Sequence, residues 1–132
     1  MSSGLLDTGI FIAGEVARPL GALPDRVAVS VVSLGELELG VLAAADDDVR
    51  ARRADTLALA RASDPLPVSE AVMSAWAHLV SDCRRAGIQR TVRLADALIA
   101  ATAIAHGLPL VAQDADFDQM ADAHPLLRVL RV

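Results

Sequence analysis

The chain has 132 residues, with 17 acidic and 12 basic side chains, a formal net charge of −5 and 54% hydrophobic residues. Its single cysteine excludes an internal disulfide framework and a cysteine-based zinc cluster, and its acidic balance excludes a nonspecific nucleic-acid binder held by a broad basic surface. The hydrophobic content is high for a small domain, so we expect another chain to cover part of the apolar surface.

The apolar pattern predicts one α/β domain over residues 1–132, in which short strands alternate with longer amphipathic helices. The predicted strands are Gly4 to Asp7, Val27 to Val32, Leu108 to Ala112 and Leu126 to Leu130. The predicted helices are Leu34 to Ala45, Val49 to Ala62, Ser69 to Ala86 and about Val92 to His106. The longest apolar stretch is too short and too interrupted to span a bilayer, and no signal peptide is recognisable, so we expect a cytoplasmic location.

Residues that favour helix ends agree with these boundaries. Ser33 precedes a helical run and Glu36 follows three positions later, which is the spacing of a capping box. Gly107 follows the run that ends at His106, as is common at a helix C-terminus. The acidic run at residues 46–48 predicts a helix start on a solvated face, where negative charge is favourable.

Four acidic residues, here called the acidic quartet, stand at the ends of apolar segments: Asp7, Glu36, Asp96 and Asp114. Asp7 closes the first strand, Glu36 follows the second and Asp114 follows the third. Asp96 begins the helix that leads back to the third strand. In a parallel sheet these positions share the carboxyl edge, where open α/β folds build their sites. Converging carboxylates repel one another unless a cation lies between them, so the sequence predicts a divalent metal site.

Each acid also has a purely structural explanation. Asp7 can cap a turn, Glu36 can complete the capping box, and Asp96 can complement a helix dipole. Asp114 and Asp116 can cap the segment that follows them. Four independent caps need not share one edge of one sheet, so the pattern favours the joint interpretation, a metal-dependent hydrolase.

Three segments resemble the PIN-domain ribonucleases, and within them the VapC-type toxins of bacterial type II toxin–antitoxin pairs. They are LLDTGIFI at Leu5 to Ile12, SVVSLGELELG at Ser30 to Gly40, and LADALIAATAIAHGLPLVAQDADF at Leu94 to Phe117. The last is the most specific, because an Asp opening an Ala-rich helix is followed by His-Gly, a short apolar strand and Asp-x-Asp-Phe. The resemblance implies a three-layer α/β/α PIN-like domain with a central parallel sheet of four to five strands.

The resemblance also implies that the acidic quartet is catalytic and holds one or two Mg²⁺ or Mn²⁺ ions. Oxygen ligands without a histidine or cysteine cluster suit those metals better than zinc. The metal would activate a water for in-line attack on an RNA phosphodiester, giving a 3′-hydroxyl and a 5′-phosphate. Asp116 is an outer or alternative ligand in this interpretation, and whether Asp118 coordinates stays open.

Three small residues near the acidic quartet also bear on the interpretation. Thr8 is expected to orient Asp7 through its hydroxyl, although a turn role fits it equally well. Gly9 and Ala112 stand where the family often has hydroxyl residues, which usually support the acids. Their absence bears on metal affinity and positioning, but it removes no ligand.

RNA binding is expected from the arginines that precede Asp96 in the sequence: Arg93 first, then Arg90, Arg85 and Arg84. These arginines are equally explained as solvated ends of helices. With few aromatic side chains, recognition is expected to rest on backbone shape, and the resemblance suggests a structured substrate such as transfer RNA or a ribosomal RNA loop. The resemblance also implies a VapB-type antitoxin in an apolar groove and a homodimer, with no membrane partner.

Three other functions fit parts of the sequence. A PIN-like domain that has lost activity and serves as a binding module would keep the fold and need no metal. The motif Leu-Leu-Asp-Thr-Gly is similar to the catalytic segment of small dimeric aspartic proteases, which require a strand-rich fold. A phosphatase with an aspartate nucleophile would need a second Asp at Gly9 and a lysine, and all twelve basic residues here are arginine.

Overall fold

A five-stranded parallel sheet lies at the centre of the computed structural model, which describes residues 1–88 and 92–132. The strands are β1 (Ser3–Leu6), β2 (Arg26–Ser30), β3 (Pro65–Leu66), β4 (Leu110–Ala112) and β5 (Val129–Arg131). They lie in the order β3-β2-β1-β4-β5, and every neighbouring pair is parallel. The predicted parallel sheet of four to five strands is therefore confirmed.

Helices cover the sheet in the three-layer arrangement that the sequence predicted. Their bounds in the described ranges are α1 (Thr8–Glu15), α2 (Val31–Leu42), α3 (Asp47–Arg61), α4 (Glu70–Arg85), α5 (Leu94–Ala105) and α6 (Asp116–Ala123). Parallel strands need crossover connections, and helices supply most of these connections here. The strand-rich fold that an aspartic protease requires is not the one observed.

Two apolar clusters pack on opposite faces of the sheet, because successive residues of a strand point to opposite sides. Leu5 belongs to one cluster together with Ile99 and Leu110. Its neighbour Leu6 belongs to the other, together with Phe11 and Val111. Burial on both faces explains why the central strands are continuous apolar runs without polar alternation.

Helix α5 is the most deeply buried helix segment near the proposed site. Four of its alanines, at positions 97, 100, 101 and 103, are fully buried. Small side chains let α4, α2 and the sheet approach its axis closely, and alanine also has the highest intrinsic helix propensity. The single cysteine, Cys83, has a packing role, since its buried thiol lies in the same apolar cluster as Ile99.

Helix α2 begins earlier than predicted, and this changes the roles of two serines. The strand predicted to reach Val32 ends at Ser30, whose side chain accepts a hydrogen bond from the Val32 amide at 3.1 Å and caps the helix. Ser33 therefore lies inside the helix, and Glu36 is in its second turn. The expected capping box at Ser33 is wrong because a serine three residues earlier already caps the chain as it leaves the strand.

Other boundaries agree with the pattern, and three short elements were not predicted. Asp46 caps α3 by accepting a hydrogen bond from the Val49 amide at 2.9 Å, and Gly107 has a φ of +64° just after α5. The unpredicted elements are α1, α6 and β3, which have eight, eight and two residues. The last strand begins at Val129 and not at Leu126. No helix in the described residues is long and apolar enough to cross a membrane.

Candidate functional site

Asp7 lies where β1 ends and α1 begins. Its backbone amide donates to the Val111 carbonyl at 2.9 Å, which ties the end of β1 to β4. Its side chain is 7% exposed and accepts a hydrogen bond from the Gly9 amide at 3.2 Å, so Asp7 is the N-cap of α1. The capping explanation is therefore correct, and it leaves carboxylate lone pairs for another partner.

The environment of Asp7 opposes its negative charge. The pKa of Asp7 is raised from 3.8 to about 6, mainly by burial and in addition by the charges of Asp96 and Glu36. The amides of Gly9 and Thr8 act in the opposite direction, because hydrogen bonds to a carboxylate favour the charged form. A buried carboxylate beside two others is a group that gains stability from a nearby cation.

Glu36 is held by a chain of hydroxyl groups. The Thr8 hydroxyl lies 2.7 Å from Glu36 Oε1 and 2.8 Å from Ser33 Oγ. One hydroxyl proton serves one acceptor and a carboxylate only accepts, so Ser33 donates to Thr8 and Thr8 donates to Glu36. The Thr8 hydroxyl thus orients Glu36, whereas from the sequence we expected it to orient Asp7. The backbone amide of Thr8 is the group that lowers the pKa of Asp7.

Sequence reasoning missed the supporting role of Ser33, which is fully buried. The available signal was its position three residues before Glu36, which places both side chains on one face of α2. That spacing was interpreted as a capping box, in which the two residues bond to backbone amides. In the structure the same spacing lets Ser33 and Glu36 both meet Thr8 of the neighbouring helix.

Asp96 is the electrostatic centre of the site. It lies in the first turn of α5, just after the N-cap residue Arg93. Burial raises the pKa of Asp96, Arg93 lowers it, and the charges of Glu36, Asp114 and Asp116 raise it. Together with the coupling of Asp7 to Asp96 and to Glu36, these interactions place the other three members of the acidic quartet within electrostatic reach of Asp96.

The acids after β4 divide into two groups. Asp114 is exposed, and its Oδ1 accepts a hydrogen bond from the Asp116 amide at 2.9 Å. Asp116 is the first residue of α6 and lies within reach of Asp96. Asp118 instead pairs with Arg131 at 2.6 Å. Asp116 therefore faces the acidic quartet, whereas Asp118 is engaged at the last strand.

The donor set suits a hard divalent cation, although the side chains are not drawn together around one point. In residues 1–88 and 92–132, no three histidine, cysteine, aspartate or glutamate side chains form a group that could hold a metal ion as they stand. Every candidate ligand in the acidic quartet is a carboxylate, which is the chemistry that Mg²⁺ and Mn²⁺ prefer. The raised pKa values of Asp7 and Asp96 are what repulsion and burial produce when carboxylates share a site.

The expected RNA-binding arginines differ in their surroundings. Arg93 acts directly on Asp96. Arg84 and Arg85 are exposed in the last turn of α4, and Arg85 Nη2 donates to Ser81 Oγ at 3.2 Å. Arg90 lies outside the described residues. Of the two positions where the family often has a hydroxyl, Ala112 is fully buried, and a Cβ at Gly9 would lie 3.1 Å from Asp7 Oδ2.

The known proteins that this chain resembles indicate one family. A family model described as PIN domain matches residues 5–123. Ribonuclease VapC8 of Mycobacterium tuberculosis is 62% identical over 100 residues, which cover 76% of this chain and 89% of that protein. The match includes most of the length of both chains, so it concerns the domain as a whole.

Solved structures agree with the sequence matches. The crystal structure of VapBC-5 from Mycobacterium tuberculosis, a member of the VapBC family of toxin–antitoxin systems, superposes with a TM-score of 0.87 at 40% identity and covers 100% of both chains. VapBC2 from Rickettsia felis, bound to a DNA fragment from its promoter, superposes with a TM-score of 0.78 at 20% identity and covers 98% of both chains. The second match supports the fold alone.

Proposed function

The chain belongs to the PIN-domain family, and within it to the VapC ribonucleases, and on that premise we propose that it is the RNA-cleaving toxin of a toxin–antitoxin pair. The observation that carries this proposal is the meeting of the acidic quartet around Asp96 at the carboxyl edge of the sheet. The substrate would be a structured RNA such as a transfer RNA or a ribosomal RNA loop, cut in the cytoplasm.

In this proposal the acidic quartet holds one or two Mg²⁺ or Mn²⁺ ions, with Asp116 as an outer or alternative ligand. The bound ion would supply Lewis-acid chemistry, which lowers the pKa of a water and offsets charge on the phosphate. The fit rests on the all-carboxylate donor set and on the raised pKa values of Asp7 and Asp96. Both carboxyls must be deprotonated to bind a cation, so activity is expected to increase with pH through the range in which they ionise.

The protein's own groups would prepare the reaction geometry. Thr8 and Ser33 fix the Glu36 carboxylate, and the α1 amides fix Asp7. Arg93 would bind an RNA phosphate beside Asp96. A water oxygen then bonds to phosphorus, the bond from phosphorus to O3′ breaks, and one proton passes to O3′. The products are a 5′-phosphate and a 3′-hydroxyl.

The partner in this proposal is a cognate VapB-type antitoxin, and the toxin itself is a homodimer. A mainly apolar groove of about 520 Å³ between α1, β2 and α3 supports an antitoxin segment with apolar anchors. Three carboxylates, of Glu15, Asp25 and Asp55, lie among its lining residues and favour basic residues beside those anchors. The antitoxin would inhibit the toxin by binding in this groove and extending to the acidic quartet through the cavity that contains both Glu15 and Glu36.

The test is cleavage of total bacterial RNA by the purified protein, free of antitoxin, with Mn²⁺ or Mg²⁺. Discrete fragments are expected, and they should disappear with EDTA and in an Asp7→Asn, Asp96→Asn double variant. A matched control replaces two exposed acids in the first turn of α3 that do not belong to the quartet, Asp47→Asn and Asp48→Asn, and should cut like the wild type. If the quartet variant cuts equally well, or nothing is cut, the inactive binding module becomes the better interpretation.

A further inference from the structure

One face of α4 carries the single tryptophan of the chain and a line of apolar and basic side chains. Trp76, Val80 and Arg84 recur every four residues, so they lie on the same face of the helix. These three residues line two adjoining cavities of about 170 and 330 Å³. We call the combined space the Trp76 pocket.

The charge of the Trp76 pocket is opposite to that of the chain. Among the described residues that line it are Arg84, Arg85 and the Ser81 hydroxyl, and none of them is acidic. The neighbouring acid in sequence, Asp82, is paired with His124 at 2.7 Å. In a chain with a net charge of −5, a cavity with two arginines and no lining carboxylate favours an anion.

The aromatic ring adds a second feature that points to the same ligand. Trp76 is partly buried and packs against the apolar cluster that contains Ile99, which holds its ring in place. Its indole N–H has no hydrogen-bond partner within the part of the chain that the structure describes. A fixed aromatic ring beside two arginines is the combination that binds single-stranded nucleic acid, through base stacking and phosphate contacts.

The Trp76 pocket is continuous with the helix that carries Asp96. Leu94 and Ala97, which stand on either side of Asp96 in α5, line the same cavity as Trp76 and Arg84. A strand bound in the pocket would therefore lie beside the first turn of α5, which is the turn that carries Asp96. On α3, Arg53 lines a separate cavity that also includes Glu36, so the control arginines are chosen elsewhere on that helix.

We propose that the Trp76 pocket is a nucleotide subsite, in which Trp76 stacks on a base near the cleaved bond and Arg84 and Arg85 each bind one of the adjoining phosphates. This inference rests on the proposed function, because it takes RNA as the ligand. It departs from the expectation that the low aromatic content leaves recognition to backbone shape alone. One well-placed ring is enough to add a contact with a base.

The experiment uses Trp76 fluorescence, which reports on this pocket alone because the chain has no other tryptophan. A ten-residue oligoadenylate is titrated into the Asp7→Asn, Asp96→Asn variant, so that the RNA stays intact. Saturable quenching of the tryptophan is expected. Adding Arg84→Gln and Arg85→Gln should weaken binding and reduce the slope of log K against log salt by about 1 to 1.5, since each phosphate contact on a single strand contributes about 0.7.

The matched control removes two exposed arginines from α3, Arg52→Gln and Arg61→Gln, in the same background. It should change affinity and salt slope much less than the α4 pair. Equal losses in both variants would overturn the proposal in favour of a nonspecific charge effect. So would a fluorescence change that depends on protein concentration without RNA, which would assign this face to contact between copies of the chain.

Cleavage by the otherwise wild-type protein separates this proposal from the proposed function. Trp76→Leu should lower cleavage about 5- to 150-fold, which is the range by which stacking of one base on an aromatic ring strengthens binding. Thermal unfolding of Trp76→Leu checks that this variant folds. The Arg84→Gln, Arg85→Gln variant tests cleavage without changing the core. If the wild-type protein cuts no RNA but oligoadenylate still quenches the fluorescence of Trp76, the proposed nuclease function is contradicted and the proposed subsite is supported. Normal cutting without quenching would contradict the subsite alone.

Discussion

At Asp7, burial and the neighbouring carboxylates both favour the protonated acid. The pKa of this group is about 6 in the folded protein, against an ordinary 3.8. Between pH 3.8 and about 6, the folded protein therefore keeps a proton that the unfolded chain has already released. Stability contributed by this group therefore falls as pH rises from 3.8 to about 6, and it stays reduced at higher pH. The metal-free protein is destabilised at neutral pH by a residue that its proposed function requires.

Asp7→Asn is expected to stabilise the metal-free protein at pH 7. The amide keeps the shape and the capping oxygen but removes the buried charge, so the free energy of unfolding should increase by up to about 3 kcal/mol at pH 7. The gain should fall below about 1 kcal/mol at pH 4, where the folded wild type is already protonated. Urea unfolding in EDTA at both pH values measures it. Glu38→Gln, on an exposed position of α2, is the control, and an equal gain there would contradict the explanation.

Thr8 is expected to act on Glu36 and through it on metal affinity. Thr8→Val keeps the shape of the side chain but removes the hydroxyl that joins Ser33 to Glu36. We expect activity to fall about 10- to 100-fold and the Mn²⁺ concentration for half-maximal cleavage to rise, as is usual when a group that orients a ligand is lost. Thr8→Ser, which restores the hydroxyl, should recover both. An unchanged metal requirement in Thr8→Val would mean that Thr8 has only a packing role.

The positions of the candidate site residues were largely predictable, and their partners were not. Asp7, Glu36, Asp96 and Asp114 could be placed at one edge because parallel strands end together. The bond from Thr8 to Glu36 joins residues 28 positions apart, and it depends on how α1 packs against α2. Sequence periodicity contains no information on that packing angle, so the hydroxyl was assigned to the adjacent aspartate.

Among the elements, the long helices were predictable and the short ones were not. Helix α4 has sixteen residues with clear apolar spacing and a serine cap, and its predicted bounds differ from those observed by one residue at each end. Helix α1 is an eight-residue, mostly apolar segment directly after a strand, so its sequence has no helical periodicity to detect. Strand β3 has two residues, and its pairing with β2 comes from tertiary contacts alone.

A buried contact between helices α6 and α4 gives a prediction about pH. His124, 6% exposed at the end of α6, donates from Nδ1 to Asp82 Oδ2 of α4 at 2.7 Å. This hydrogen bond holds the pKa of Asp82 below its ordinary 3.8. The stability it contributes is present above pH 3.8 and is lost as pH falls through the lower folded value.

Asp82→Asn should therefore lower the melting temperature at pH 7, with a difference from wild type that shrinks as pH falls below 3.8. Asp122→Asn, on an exposed position of α6, should change the melting temperature little at either pH. Thermal unfolding followed by circular dichroism across this range measures both variants. A deficit for Asp82→Asn that stays constant down to pH 2.5 would show that the amide disturbs packing and that charge is not the cause.

For the molecule as a whole, we expect the acidic quartet to make stability depend on a divalent cation. Carboxylates with pKa values raised by burial and mutual repulsion weaken the metal-free fold, and a divalent ion that binds the folded state alone reverses this effect. At a metal concentration 100 times Kd, the stabilisation is about 2.7 kcal/mol. The measurement is the melting temperature of the protein with Mn²⁺ against EDTA at pH 7.5 and at pH 5.

A large increase is expected at pH 7.5 and a small one at pH 5, because protons compete with the metal for Asp7 and Asp96. The Asp7→Asn, Asp96→Asn variant should be more stable than wild type in EDTA and should gain nothing from Mn²⁺. This crossing of the two stabilities separates a metal site from a purely structural role, since Asn keeps the capping oxygen and a purely structural pair would leave the response to Mn²⁺ the same in both proteins. A wild-type protein that is equally stable with and without Mn²⁺ would favour the binding-module interpretation, and the quartet would then be a set of carboxylates without a ligand.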